Sequence, residues 1–210
     1  MIRVLIADDH ALIRRGLAQI LEKTGEIKVV AEFGNGADTL TWLCKNSCDV
    51  VLLDISMPGI SGVDLLTELQ KRQLNLRVMF ISAYPEDQYA LRLIKAGGLG
   101  YLNKECAPEE VVSAVKRIAS GRRYLSPAVV EMLANEICDP QEQLPHETLS
   151  NREQQIFLLL AKANTLAEIA ELLSLSPKTI STYRSRILEK MHLRNNAELM
   201  RYAVDKNLTD

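Results

Sequence analysis

The stretch that decides the fold is Ile2-Arg3-Val4-Leu5-Ile6-Ala7-Asp8-Asp9, an apolar run that ends in two aspartates. A second apolar run, Val50-Val51-Leu52-Leu53, ends in Asp54, and a short segment through Asn103 is followed by Lys104. Uninterrupted runs of Val, Ile and Leu with helical patterns between them are typical of central parallel strands, and ligands bind at the carboxyl ends of such strands. The three carboxylates and the ammonium group are therefore predicted to meet at one edge of a sheet.

Three carboxylates at one place repel each other, which predicts a hard cation such as Mg2+ among them, held by oxygen ligands in octahedral geometry. Asp8 and Asp9 are expected to hold the ion together with Asp54. The turn that follows, Ile55-Ser56-Met57-Pro58-Gly59, contains proline and glycine and is expected to bring the backbone carbonyl of Ser56 toward the metal.

Asp54 is the best-placed nucleophile toward a phosphoryl donor, because a metal ion and Lys104 would disperse the charge of the transferred group. Ser82, at the end of the predicted fourth strand, offers a hydroxyl to a phosphoryl oxygen. Lys104 offers a charge-assisted hydrogen bond to the same group. The neighbouring His10 is interpreted as a surface cap at a strand-helix junction rather than as a base.

The composition indicates a two-domain protein without a membrane segment. The 210 residues suit two domains, and a hydrophobic content of 47% is ample for packed cores. Residues 1–147 carry 16 Lys+Arg against 20 Asp+Glu, whereas residues 148–210 carry 9 against 7. No run of 18 apolar residues and no signal-peptide pattern occurs, which predicts a cytoplasmic protein. The four cysteines lack metal-binding spacing and are expected to be reduced thiols.

The first part of the chain alternates strands and helices. We predict strands at 2–7, 27–32, 49–54, 77–82 and 99–102, with helices at about 11–23, 36–46, 62–72, 87–96 and 108–120. The first helix carries an apolar set at helical spacing, namely Leu12, Ile13, Leu17, Ile20 and Leu21. Right-handed crossovers then predict an α/β fold with a doubly wound five-stranded parallel sheet of order 2-1-3-4-5.

A small all-α domain is predicted to follow. We place the first domain at 1–121, a linker with a short helix near 129–137 at 122–147, and the helical domain at 148–210. Ser150 and Glu153 have the spacing of a capping box and begin a helix through about Lys162. Further helices are predicted near 165–173, 177–191 and 196–206.

The segments 165–173 and 177–191 predict a helix, a tight turn and a second helix that begins at Pro177. In the second helix, four residues form a predicted inward stripe: Ile180, Tyr183, Ile187 and Met191. The polar residues suit phosphates and base edges in a major groove. The predicted DNA contacts are Lys178, Thr179, Ser181, Thr182, Tyr183, Arg184, Ser185 and Lys190.

Two sets of motifs resemble a known family. Asp8-Asp9, Asp54-x-x-Met57-Pro58-Gly59, Ser82-Ala83 and Tyr101-x-x-Lys104 resemble the receiver domain of two-component response regulators. The motifs Leu149-Ser150-x-Arg152-Glu153, Ser176-x-Lys178-Thr179-Ile180 and Tyr183-Arg184-x-x-Ile187 resemble the LuxR-type helix-turn-helix. Together they point to the NarL/FixJ family, and the segment 176–186 looks most similar to its GacA/UvrY or BvgA/EvgA branches.

The resemblance implies a flavodoxin-like receiver that takes a phosphoryl group on Asp54 from a sensor histidine kinase or a phosphotransfer domain, with Mg2+ as cofactor. It also implies that Ser82 and Tyr101 are switch residues, that the partner of the helical domain is double-stranded DNA, and that the last helix pairs two copies when phosphorylated or on DNA. Such a protein regulates transcription, and its own chemistry is limited to accepting and losing phosphate. Many members of the family carry a glycine at or near position 164, and Asn164 can adopt positive φ in its place.

Two other functions remain as alternatives. An aspartate-nucleophile phosphatase uses a similar sheet, but it generally needs a second carboxylate two residues after the nucleophile, where this chain has Ser56. Alternatively, the helical domain binds a protein, for example RNA polymerase, without reading DNA.

Overall fold

The computed structural model describes residues 1–138, 144–173, 175–206 and 208. The chain divides into two compact units, Met1–Cys138 and Asp139–Asp210. No helix within the described ranges is long and apolar enough to cross a membrane.

The first unit is a five-stranded parallel sheet between helices. The strand order is β2-β1-β3-β4-β5, as predicted. The strands are β1 Ile2–Ala7, β2 Ile27–Phe33, β3 Val50–Asp54, β4 Val78–Ser82 and β5 Gly100–Asn103. The helices are α1 Ala11–Glu22, α2 Gly36–Leu43, α3 Gly62–Lys71, α4 Glu86–Lys95, α5 Pro108–Ala119 and α6 Pro127–Cys138.

The strand register brings the ends of the central strands to one edge of the sheet. Ala7 pairs with Leu53, Asp54 with Ile81, and Ser82 with Asn103. Every residue of β3 and β4 is buried, because helices cover both faces of the sheet. Whatever follows these strands in the sequence therefore lies at their common carboxyl edge.

The packed face of α1 is narrower than the sequence predicts. Leu17 and Leu21 are buried against the sheet, but Leu12 is 83% exposed. At 3.6 residues per turn, Leu12 lies about 180° around the helix from Leu21. The apolar set at helical spacing is therefore wider than the one face of α1 that contacts the sheet.

The segment after α5 packs within the first unit, although we predicted it as the beginning of a linker. The amide of Tyr124 donates to the carbonyl of Leu99 at 2.9 Å, and Tyr124 forms an isolated parallel bridge with Gly100. Helix α6 follows and packs against α4, with Val129 buried. The outer edge of β5 is thus covered where Tyr124 pairs with it.

The described residues of the second unit form a short 3-10 helix, Pro145–Thr148, and four α-helices. These are α7 Asn151–Ala161, α8 Leu166–Leu172, α9 Pro177–Lys190 and α10 Asn196–Asp205. Ser150 and Glu153 form the predicted capping box, and Thr165 and Glu168 form a second one. Its core is built from all four helices and includes Ile156, Phe157, Ile169, Ile180, Ile187 and Leu199.

The turn after α7 differs from its predicted form. The residue with positive φ is Ala163, at 63°, and Asn164 is not among the residues with positive φ. The amide of Asn164 donates to the carbonyl of Leu159 at 3.2 Å, and so does its side chain at 2.9 Å. These bonds satisfy a terminal carbonyl of α7 and hold Ala163 in the left-handed region.

Gly62, the first residue of α3, lies directly against the backbone of β3. A Cβ at this position would collide with the carbonyl oxygen of Asp54 and come within 3.1 Å of the Leu53 side chain. Because the obstacle is backbone, Gly62→Ala is expected to lower the free energy of unfolding by about 1–3 kcal/mol, measured by urea denaturation. The control is Gly16→Ala in α1, where no atom lies within 4 Å of the added Cβ. Equal stability of the two variants would contradict this prediction.

Candidate functional site

Two aspartates and a lysine meet at the carboxyl edge of the sheet. Asp8 is fully buried, and Asp54 is only 2% exposed. The Nζ atom of Lys104 lies 2.6 Å from Oδ2 of Asp8 and 3.2 Å from Oδ2 of Asp54. The amide of Lys104 donates to the carbonyl of Ser82 at 2.8 Å, which fixes the segment after β5 beside β4. The strand register thus produces the predicted convergence.

The third carboxylate predicted to hold the metal, that of Asp9, lies at the exposed side of the same cluster. Ligand atoms of Asp8, Asp9, His10 and Asp54 all lie within 4.8 Å of one another. Nδ1 of His10 is 2.6 Å from Oδ1 of Asp9. His10 occupies the N-cap position of α1 but makes no side-chain capping hydrogen bond, because its ring turns toward the carboxylates. The donor set is oxygen-rich, as a hard divalent cation requires.

Burial and charge set the protonation behaviour of this cluster. Burial raises the pKa of Asp54 to about 6; Lys104 opposes that rise and the carboxylate of Asp8 adds to it. Burial lowers the pKa of Lys104, but the attraction of Asp54 and Asp8 outweighs it, so this pKa lies above its ordinary value. Three carboxylates against one ammonium leave an excess of negative charge that favours a bound cation.

A second group of contacts connects the site to the segment after β4. The hydroxyl of Ser82 is buried and accepts from the amide of Tyr84 at 3.3 Å. The hydroxyl of Tyr101, also buried, donates to the carbonyl of Tyr84 at 2.6 Å. Both predicted switch residues therefore contact the backbone of one residue that sequence reasoning missed. The position of Tyr84, two residues after Ser82, was the available signal.

Tyr84 also reaches toward the turn after β3. Oγ of Ser56 donates to the hydroxyl of Tyr84 at 3.4 Å, and the Tyr84 ring packs on Tyr89 of α4 with centroids 4.8 Å apart. The loop after β3, the loop after β4 and helix α4 are thereby linked through one side chain.

In the second unit, α9 presents a polar face. Four of the predicted DNA contacts are exposed, namely Lys178, Ser181, Thr182 and Ser185. Ser176 caps the helix by accepting from the amide of Thr179 at 3.1 Å. The hydroxyls of Thr182 and Ser185 donate to the backbone carbonyls four residues earlier, and each keeps an acceptor site toward solvent.

Two other predicted DNA contacts, Tyr183 and Arg184, are not fully exposed. Tyr183 is half-buried and so belongs only partly to the inward stripe, whereas Ile180, Ile187 and Met191 are buried. Arg184 is half-buried too, and its Nε donates to Oδ1 of Asn196 at 2.6 Å.

Lys190, at the end of α9, was also predicted to contact DNA. Its ammonium group lies 2.7 Å from Oε2 of Glu153 in α7. That contact stays within the helical unit, and sequence spacing gives no sign of it because the two residues are 37 positions apart.

Comparison with known proteins agrees with both halves of the chain. Residues 4–116 match the model of the response regulator receiver domain, and residues 147–203 match that of the bacterial regulatory proteins of the luxR family. The chain is 38% identical to the response regulator UvrY of Escherichia coli K12 over 209 residues, covering 99% of this chain and 96% of UvrY. It is 37% identical to the response regulator GacA of Pseudomonas aeruginosa PAO1 over 211 residues, covering 100% and 99%.

Among solved structures, the response regulator RcsB in complex with DNA superimposes with a TM-score of 0.59 at 25% identity, covering 97% of this chain and 98% of that one. The order of the two family matches along the chain is the order of the two units in the structure. The chain belongs to those two-component response regulators that join a receiver domain to a LuxR-type helix-turn-helix DNA-binding domain and regulate transcription.

Proposed function

We propose that Asp54 accepts a phosphoryl group from a sensor histidine kinase or a phosphotransfer domain, and that the phosphorylated state controls dimerisation and DNA binding. The observation that carries this proposal is the position of Asp54, a buried carboxylate between Asp8 and the ammonium of Lys104. The phosphoacceptor function is assigned to residues 1–121 and DNA binding to residues 148–210.

The residues at the sheet edge fit a magnesium ion. The carboxylates of Asp8, Asp9 and Asp54 lie together and would hold it. The backbone carbonyl of Ser56 is proposed as a further ligand, since Mg2+ prefers oxygen ligands. When bound, the ion supplies charge neutralisation for the anionic phosphoryl group.

The chain's own residues supply the rest of the transfer. The carboxylate oxygen of Asp54 attacks phosphorus, the bond to the donor imidazole breaks, and Lys104 donates to a phosphoryl oxygen. Ser82 is proposed to turn its hydroxyl to another phosphoryl oxygen, giving up its contact with the Tyr84 amide. Because Tyr101 holds the carbonyl of Tyr84, the two proposed switch residues move as a coupled pair.

The phosphotransfer proposal is tested with the full chain, acetyl phosphate and Mg2+. We expect one phosphoryl group on Asp54, located by mass spectrometry after borohydride trapping, and none when EDTA removes the metal. Capture of genomic DNA fragments before and after phosphorylation measures the effect on DNA binding. Retention of the phosphoryl group in Asp54→Asn would disprove the assignment.

Dimerisation is proposed to use the exposed side of α10. Val204 is 63% exposed, Ala197 is exposed and Met200 is half-buried, so an apolar stripe with spacings of three and four residues follows this helix. A two-fold dimer then places two copies of α9 on two half-sites.

Val204→Glu places like charges opposite each other across such a two-fold contact. We expect affinity for a duplex with two half-sites to fall at least about tenfold, because a desolvated charge and its repulsion oppose pairing. Fluorescence anisotropy with the two-site duplex, and with a duplex containing one site, checks this. The control Val204→Thr keeps nearly the same size without charge. An equal loss on both duplexes would argue against a dimer contact at α10.

A further inference from the structure

We propose that Arg186 is the arginine of α9 that contacts DNA, and that Arg184 is a positioning residue that holds α10 against α9. This division rests on the proposed DNA binding by the helical domain and assigns separate roles to two arginines only two positions apart.

Arg184 connects two helices. Its Nε donates to Oδ1 of Asn196 at 2.6 Å, a short bond between a cation and a neutral amide. Asn196 is the first residue of α10, directly after the N-cap Asn195, whose side chain accepts from the amide of Glu198 at 3.0 Å. The guanidinium therefore fixes the start of α10, where a change of angle would move the whole exposed stripe of that helix.

Arg186, unlike the half-buried Arg184, is exposed. No hydrogen bond or ion pair to Arg186 is found within the described part of the chain. Lys178, Thr182 and Arg186 follow each other at intervals of four residues, so all three lie on one side of α9. That side is the exposed polar face, and Arg186 adds to it a planar group with five donors.

The cations of α9 thus fall into two pairs. Arg184 and Lys190 are engaged within the helical unit, by Asn196 and by Glu153. Lys178 and Arg186 face solvent and are separated by eight residues, which is about 12 Å along the helix axis. This distance is close to the width of the major groove, about 12 Å, so one docked helix can bring both cations to the duplex.

The two roles predict different responses to salt. A cation that contacts phosphate releases counterions, so its loss lowers the slope of log K against log salt concentration by about 0.9 per bound protomer. A positioning residue contributes no counterion release, and its loss weakens binding at every salt concentration alike. The distinction does not require knowledge of the operator sequence.

The experiment uses the full chain and a mixed-sequence 30-base-pair duplex, with anisotropy titrations at several salt concentrations. Arg186→Ala is expected to weaken binding about tenfold and to flatten the salt slope, with an unchanged thermal unfolding midpoint. Arg184→Ala is expected to keep the slope and to lower the unfolding midpoint of the helical unit. Asn196→Ala should reproduce Arg184→Ala, and the double variant should lose no more than either single one.

Three outcomes would overturn the proposal. A flattened slope in Arg184→Ala with a normal slope in Arg186→Ala would reverse the assignment. Additive stability losses for Arg184→Ala and Asn196→Ala would remove the positioning role. If the wild-type chain binds the duplex but Lys178→Ala and Arg186→Ala both leave its slope unchanged, α9 is not the DNA surface, and the proposed docking fails rather than the division of roles alone.

Discussion

Replacing Asp54 by asparagine is expected to raise the free energy of unfolding of the metal-free protein by about 1–3 kcal/mol at neutral pH. Burial raises the pKa of Asp54 to about 6 in the folded chain, and the nearby Asp8 adds to the rise. The ionised carboxylate is therefore a source of instability near pH 7, and an isosteric neutral amide removes it. Asp54, the proposed phosphoacceptor, would thus lower the free energy of unfolding of the protein that carries it.

The free energy of unfolding is expected to fall as the pH rises through the range in which Asp54 ionises. The folded state holds the proton of Asp54 more tightly than the unfolded state, so its favourable contribution is complete below about pH 4 and is lost as pH rises to about 6. Urea unfolding followed by the fluorescence of Trp42, the single tryptophan, measures this in the first unit. Asp54→Asn should lack that loss. Glu32→Gln, at an exposed carboxylate of β2, is the control, and an Asp54→Asn variant less stable than wild type at neutral pH would refute the expectation.

Replacing Lys104 by methionine is expected to act in the opposite direction. Its ammonium lies between the buried carboxylates of Asp8 and Asp54, and its side chain is 11% exposed. Removing one partner of a buried ion pair leaves an uncompensated charge, at a cost of about 3–5 kcal/mol. Methionine keeps the unbranched apolar stem, so the loss reports on the charge rather than on packing. The rate of phosphorylation by acetyl phosphate should also fall at least about 100-fold, as for other lost donors to a reacting oxyanion.

The effects of Asp54→Asn and Lys104→Met on stability are expected to be coupled. In Asp54→Asn the ammonium of Lys104 has one carboxylate fewer to neutralise, so Lys104→Met should cost less in that background than in wild type. Urea denaturation of the wild type, the two single variants and the double variant measures the coupling. Simple additivity of the two effects would mean that the 3.2 Å contact between Lys104 and Asp54 contributes no stability.

The sequence was sufficient to predict the sheet order and the meeting of Asp8, Asp54 and Lys104. The order follows from right-handed crossovers with helices on both faces of the sheet. The meeting of the side chains follows because buried parallel strands are continuous apolar runs, and the residue after each run lies at the carboxyl edge. Helix periodicity likewise predicted Ile180, Ile187 and Met191 on the inner side of α9. Local patterns of this kind depend on nothing outside the element itself.

Such patterns could not predict the contacts that long side chains make with other helices. Arg184 and Lys190 lie at positions that sequence spacing indicated as outward, yet their flexible stems reach Asn196 and Glu153 on other helices. Tyr84 has no periodic signal because it lies in a loop. Residue preference pointed to Asn164 for positive φ, whereas the hydrogen bonds that end α7 impose it on Ala163.

The bridge between Tyr124 and Gly100 bears on the behaviour of the chain in concentrated solution. The outer side of a parallel sheet offers unpaired amides and carbonyls to any extended peptide, which is a common route to aggregation. Tyr124 takes one of these positions on β5, and a side chain at Gly100 would meet its carbonyl oxygen at 3.0 Å. A fragment that ended before Tyr124 would leave the strand open to pairing between molecules, and turbidity would increase with its concentration.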